Sequence, residues 1–175
     1  MTGKTFLNSI ANGEKDVIQI FLDMLAKAGT AYCVVGGFAV NAYVEPVVSL
    51  DLDVVVVLKD LEKITKLAET KGFKIEKHEH SLNFSSTGSD LRILLQTDSR
   101  YQAFIPRSRP KEILGYRMQV ARKEDVLQGK VWAYSDETRR RSKRQKDLAD
   151  IMRLVEPYPE LEKILPEGIQ EELKK

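Results

Sequence analysis

The segment "SLDLDVVVVL", residues 49–58, constrains this chain more than any other. Asp51 and Asp53 open a run of four valines that reads as a buried strand. Side chains along a strand alternate between faces, so both carboxylates project from one face while Leu52 enters the opposite layer. Like charges that close repel and raise one pKa unless a cation sits between them, and a hard divalent ion with oxygen ligands is the natural resident. Magnesium is the first choice and manganese its substitute. Taken alone, the pair has two readings: exposed aspartates at a strand end, or metal ligands.

A second feature precedes it. "AYCVV" reads as a short buried strand, broken by Gly36 and Gly37, after which "FAVNAY" reads as a helix ending before Pro46. Glycine after a strand lets backbone approach a ligand and lets a helix N-terminus offer free amides to an anion such as a triphosphate. A Gly-Gly pair by itself is also an ordinary turn, and it is not the Gly-x-Gly-x-x-Gly fingerprint of dinucleotide folds.

Around these two features the pattern is α/β. Apolar residues at Val17, Ile20, Phe21, Met24, Leu25 and Ala28 predict an amphipathic helix over 14–28, stopped by Gly29. A helix over 61–71 closes at Gly72, and three strands follow: "FKIEKH", "SLNFSS" and "DLRILLQ", the last two joined by the turn Thr87, Gly88, Ser89. "KEILGYRMQVA" supplies a hairpin around Gly115, and from Lys123 onward the chain is helical, divided by Pro157, Pro159 and Pro166. The expectation is one domain over 1–175: a small mixed sheet with flanking helices over about 14–121, then a helical section over about 122–175. The 175 residues suit one compact unit, and 42% apolar with 31% charged residues is an ordinary globular composition. No apolar run reaches the roughly 18 residues of a membrane span, and the N-terminal stretch lacks a signal-peptide core. The lone Cys33 reads as a buried small hydrophobe that fits a reducing compartment, so a cytoplasmic location is expected.

In "VVGGFAVNAYVEPVVSLDLDVVV" the glycine pair closing one strand, the short helix and Asp-x-Asp at the next strand resemble the signature of the nucleotidyltransferase superfamily with the polymerase-beta-like fold. The resemblance implies that Asp51 and Asp53 hold magnesium, and that Gly36 and Gly37, with Ser49, hold the triphosphate of a nucleotide. The later stretch "VARKEDVLQGKVWAYSDETRRRSKRQKDLADIMRLVE" resembles the helical part of abortive-infection-type (AbiEii/AbiGii-like) nucleotidyltransferases, which carry a functional lysine on one helix and Lys-Asp-x-x-Asp on a later one. Lys130 matches the first, and Lys146, Asp147 and Asp150 match the second. The resemblance covers roughly 30–155.

From the residues alone, Lys130 falls inside the apolar stripe Val126, Leu127, Val131, Tyr134, so it either snorkels to water or meets an anion. Asp147, beside the stripe of Leu148, Ile151, Leu154 and Val155, either finds a partner or lies on a surface. A tight hairpin turning near Ser135 and Asp136 sets Lys130 opposite about Arg141, short of Asp147. The run "RRRSKRQK" carries Arg139, Arg140, Arg141, Lys143, Arg144 and Lys146, either a solvated face or a phosphate-tracking patch for RNA. His78 and His80 have no cysteine partners and make no zinc site.

The superfamily pattern also implies a third acidic residue in a later strand, and here the central slot of "SDLRILLQ" holds Arg92. Asp90, on the same strand face, is the candidate to reach the metal pair or to pair with Arg92. The expected function is transfer of a nucleoside monophosphate from a triphosphate to an RNA, protein or small-molecule acceptor, served by Asp51, Asp53, Asp90, Lys130 and Asp147. The alternative that Arg92 favours is a nucleotide- or RNA-binding partner without turnover, in a regulatory system or beside an antitoxin.

Overall fold

The computed structural model describes residues 1–175 and contains a seven-stranded mixed sheet in the order β3-β4-β5-β2-β1-β7-β6. Its strands are β1 (Tyr32–Val35), β2 (Asp51–Val56), β3 (Lys74–Lys77), β4 (Ser81–Ser86), β5 (Ser89–Gln96), β6 (Arg109–Ile113) and β7 (Tyr116–Val120). β2 pairs parallel with β5 and β1 parallel with β7, whereas β1–β2, β3–β4, β4–β5 and β6–β7 are antiparallel. This is the mixed sheet that the sequence pattern predicts.

The helices are α1 (Gly3–Ile10), α2 (Val17–Ala28), α3 (Gly36–Val40), α4 (Leu61–Thr70), α5 (Lys123–Ser135), α6 (Arg141–Val155) and α7 (Glu167–Leu173). α2 starts at Val17 rather than residue 14 because the Asp16 carboxylate accepts from the Gln19 amide and caps it, and it stops at Gly29 in the left-handed region with φ 63°. Three elements escape the sequence reading, the smallest of them a 3₁₀ turn over Leu58–Asp60 between β2 and α4. α1 is too short to show a period clearly, yet it buries Leu7 and is followed by the buried Ala11, so the packed core begins before residue 14. A 3₁₀ segment, Ser99–Arg107, carries no apolar stripe because Phe104 is its one fully packed residue.

Burial along β2 and β5 locates the working face. In β2, Leu52 and Val54 to Val56 are buried while Asp51 and Asp53 are only partly covered. In β5, Leu91, Ile93 and Leu95 are buried, whereas Arg92, Leu94 and Gln96 border a cavity. One face of the sheet borders the cavity over β4, β5 and the start of β2 through Asn83, Arg92, Leu94, Gln96, Asp51 and Asp53. Cys33 is fully buried and free, and burial pushes its thiol up to about 12, which makes it the inert small hydrophobe expected.

A buried carboxylate fastens the 3₁₀ segment to α5. Asp125 accepts from Arg107 Nε (2.9 Å) and Nη2 (2.8 Å) and from Arg122 Nε (3.1 Å). Replacing Asp125 with Ala leaves both guanidinium groups without this partner, and because each is partly solvated the expected loss is about 2 kcal/mol, lowering Tm by about 4–8 °C. A thermal melt of Asp125→Ala that superimposes on the parent would show that this junction adds nothing.

Candidate active site

The antiparallel register of β1 and β2 sets Val35 opposite Asp53, so the glycine pair that ends β1 lies beside the aspartates that begin β2. Gly36 has φ 69°, a left-handed conformation, and a Cβ there would overlap the Asp53 carboxylate. Gly37 is different. A methyl at Gly37 would stand 3.9 Å from Asp150 Oδ2 and from Ser49 Oγ, an ordinary contact, so sterics do not demand glycine there. The Ser49 hydroxyl accepts from the Asp51 amide at 3.3 Å and donates to the Asp51 carbonyl at 3.2 Å, which fixes the start of β2.

Asp51 is not left free. Arg92, its register partner on β5, donates to Asp51 Oδ1 through Nε (2.9 Å) and Nη2 (2.8 Å), and Lys143 Nζ stands 3.5 Å from Oδ2. Asp53 has neither a side-chain hydrogen bond nor an ion pair; burial raises its pKa to about 6, moderated by Lys130 nearby and reinforced by Asp51. Asp90 does not join them. Its position is two residues before Arg92, beyond the first β2 residue in register, and its carboxylate instead accepts from Asn12 Nδ2 at 2.6 Å while its amide donates to the Ala11 carbonyl. Arg92 therefore pairs with Asp51 and not with Asp90.

Lys130 and Asp147 do meet. Lys130 Nζ is 3.0 Å from Asp147 Oδ1 and 2.7 Å from Asp150 Oδ2, and Asp147 Oδ2 accepts from Arg139 Nε at 2.7 Å. The Lys130 side chain is 11% exposed and that of Asp147 is 2% exposed, so this lysine does not snorkel. Burial pulls the Lys130 pKa down, but Asp150 and Asp147 outweigh it and hold the ammonium above its ordinary range. The expected register shortfall does not occur because the α5–α6 connection spans residues 136–140 and turns around Glu137 and Thr138, later than Ser135 and Asp136. Asp150 also accepts from Arg153 Nη1 at 2.7 Å, and Arg153 Nη2 donates to the Glu45 carbonyl and to Asn41 Oδ1, tying α6 to the loop that leads into β2.

The basic run splits between these partners. Arg139 and Lys143 turn inward to Asp147 and Asp51, while Arg144 donates to the Tyr134 carbonyl. Arg140, Arg141 and Lys146 are exposed and make no ion pair. Two cavities meet at the aspartates. The larger, about 1140 Å³, lies between the open sheet face and the α5–α6 hairpin, and its walls include Arg92, Arg100, Tyr101, Lys130 and Trp132. The smaller, about 80 Å³, is bordered by Gly37, Ser49, Lys143, Lys146 and Arg153. His78 and His80 border the larger cavity, and the chain has no group of three or more His, Cys, Asp or Glu side chains arranged to hold a metal ion. The aromatic and guanidinium wall around Trp132 gave no signal in the sequence, because its members come from the 3₁₀ segment and α5.

Two outcomes follow from the charge pattern. Lys130→Met removes the shared counter-ion of Asp147 and Asp150, so it destabilises by about 3 kcal/mol, where a snorkelling lysine would leave Tm unchanged or higher. Asp53 binds its proton more tightly folded than unfolded, so the parent loses stability as pH rises from about 4 to about 6. Asp53→Asn is thus more stable than the parent above pH 6 and equal to it below about pH 4, and denaturant titrations at both pH values check the difference.

No family model matches the chain, and no curated protein is similar to it in sequence. Solved structures are similar in fold. The antibiotic-resistance factor ANT(2'')-Ia, in complex with adenylyl-2''-tobramycin, aligns with a TM-score of 0.66 at 13% identity, over 90% of this chain and 95% of that one. The lincosamide antibiotic adenylyltransferase LnuA, lincomycin-bound, aligns with a TM-score of 0.57 at 12% identity, over 81% and 98%. An antigenic nucleotidyltransferase-like protein from Paracoccidioides brasiliensis aligns with a TM-score of 0.54 at 16% identity, over 86% and 76%. With the glycine turn beside the aspartate pair, these alignments show that the chain has the nucleotidyltransferase fold.

Proposed function

We propose that this chain is a nucleotidyltransferase that moves a nucleoside monophosphate from a nucleoside triphosphate to an acceptor hydroxyl. The observation that carries the reading is Asp53: an ionisable carboxylate with no partner of its own, at the junction of two cavities whose walls carry Arg92, Lys130, Arg139, Lys143 and Lys146. A carboxylate so placed fits a cation, and its partner Asp51 has the same strand face to share. Asp51 and Asp53 would hold magnesium or manganese, which would supply neutralisation of phosphate charge in phosphoryl transfer. Cations serve the same end: Lys143, Lys146 and Arg153 border the small cavity with Gly37 and Ser49, where they offer donors to triphosphate oxygens.

In the reaction the acceptor oxygen bonds to the α-phosphorus, the α–β phosphoanhydride bond breaks, and pyrophosphate leaves; the acceptor proton passes to solvent on the open side of the large cavity. Asp147 has both oxygens committed, to Lys130 and to Arg139, so it orients Lys130 rather than accepting that proton. Asp90, 78 residues from its Asn12 partner and outside the cavity walls, takes no part.

The likenesses differ in acceptor class: ANT(2'')-Ia is an antibiotic-resistance factor and LnuA a lincosamide antibiotic adenylyltransferase, whereas the helical stretch resembles the abortive-infection type. Arg140 and Lys146, exposed on the cavity walls, with Arg141 next in the chain, favour a phosphate-bearing acceptor such as RNA over a polycationic one, because like charges repel. A second reading rests on the Arg92–Asp51 pair: with Asp51 held by a fixed cation, the chain binds nucleotide without turnover, as a regulatory or antitoxin-partnered module.

Incubation with each α-labelled triphosphate, magnesium and total RNA, followed by separation of RNA, protein and small molecules, discriminates these readings. The expected outcome is label in RNA, lost by about two orders of magnitude or more in Asp53→Asn. Tight triphosphate binding by calorimetry with no label transferred to any fraction would establish the second reading instead.

A further inference from the structure

One wall of the large cavity is built from Arg100, Tyr101 and Trp132, backed by the buried ring of Phe104. Phe104 lies parallel to Trp132, with ring centroids 5.7 Å apart and an interplanar angle of 5°. Tyr101 meets both rings edge-on, at 5.4 Å from Phe104 and 5.2 Å from Trp132. The Arg100 guanidinium carbon stands 4.5 Å over the Trp132 ring.

Arg100 is not a loose surface arginine. Its Nε donates to Asp98 Oδ2 at 2.9 Å and its Nη2 to the same oxygen at 2.7 Å, while the Arg100 amide donates to Asp98 Oδ1 at 2.9 Å. Asp98 is itself the cap of the 3₁₀ segment, so the clamp is built into the backbone. The guanidinium plane is thereby fixed from one edge by a carboxylate and from one side by an indole, yet the Arg100 side chain is 56% exposed and borders the cavity. Nothing in folding requires that expense of order at an exposed position, since the aromatic rings beneath already pack against one another.

The stack also adjoins the aspartates. Tyr101 lies against Gly129, the residue before Lys130, at a distance that leaves a Cβ there only 3.3 Å from the ring, and Asp53 contributes to holding the Tyr101 phenol pKa up near 12, after burial. Trp132 and Lys130 share α5. The wall is therefore continuous with the charged floor.

We infer that Arg100, held flat by Asp98 and Trp132, is the stacking platform for the purine ring of the triphosphate whose phosphates lie at Asp51 and Asp53. The inference rests on the proposed nucleotide-transfer function and specifies its donor substrate. A fixed guanidinium offers a planar π face and a positive charge to a base, and a purine covers more of that face than a pyrimidine does. The platform touches a ring face and not a hydrogen-bonding edge, so it separates purines from pyrimidines and does not separate adenine from guanine.

Trp132 is the sole tryptophan of the chain, so its emission reports on this wall without labelling. The test titrates the full chain, with magnesium, against ATP, GTP, CTP, UTP and inorganic tripolyphosphate, following heat and Trp132 emission together, and repeats it for Arg100→Lys, which keeps the charge and loses the plane. ATP and GTP are expected to bind with similar affinity and more tightly than CTP and UTP, and to change Trp132 emission, whereas tripolyphosphate binds without changing it. Arg100→Lys should weaken ATP about tenfold and leave tripolyphosphate affinity unaltered, with an unchanged melt. If ATP and tripolyphosphate weaken equally in Arg100→Lys, or if ATP binds tightly with Trp132 emission and the Arg100→Lys affinity both unmoved, the platform is overturned while the nucleotide reading stands. Absence of binding by every triphosphate overturns both.

Discussion

The arrangement of the active face depends on one buried ion cluster, in which Lys130 bridges Asp147 and Asp150 while Arg139 takes the second oxygen of Asp147. Buried charges are costly unless their lone pairs and protons are all matched, and breaking one partner leaves the others uncompensated. The cluster therefore permits only one angle and register between α5 and α6. That register in turn brings Lys143 to Asp51 and, through Arg153, fixes the loop that carries Ser49 into β2. The geometry of this face is a consequence of where a lysine could be neutralised.

Within that frame the two aspartates have unequal roles. They share a strand face, but Arg92 and Lys143 compensate Asp51, whereas Asp53 sits against Gly36 with no partner and a pKa raised to about 6. The site thus leaves one carboxylate without a partner and sets the other among positive charges. The same logic separates the glycines: Gly36 is demanded by its left-handed backbone and the carboxylate beside it, while Gly37 has room for a methyl. A pair that looks symmetrical in the sequence is asymmetrical in space.

The basic run illustrates how a local pattern is divided by tertiary structure. Six cations in eight residues wind around the start of α6, so no single description suits them: Arg139 pairs with the buried Asp147 and Lys143 approaches the partly covered Asp51, Arg144 meets the Tyr134 carbonyl and ring, and Arg140, Arg141 and Lys146 remain in water. Helical periodicity alone sends such residues in several directions. Which direction finds a carboxylate depends on strands distant in the sequence.

The sequence by itself determined the strand alternation that puts Asp51 and Asp53 on one face, the glycine break before them, the mixed α/β pattern and the burial of Cys33, because each is encoded within a few residues by period, turn chemistry or apolarity. It also marked Lys130 and Asp147 as charges in want of partners. Only the tertiary structure decided that they partner each other, since the loop at 136–140 sets the hairpin register, and that Asp90 is drawn to Asn12 while Arg92 takes Asp51, since the parallel register of β2 on β5 does so. The wall of Arg100, Tyr101, Phe104 and Trp132 was invisible for the same physical reason: its residues belong to a 3₁₀ segment and a helix whose contact is a long-range packing event with no local period to announce it.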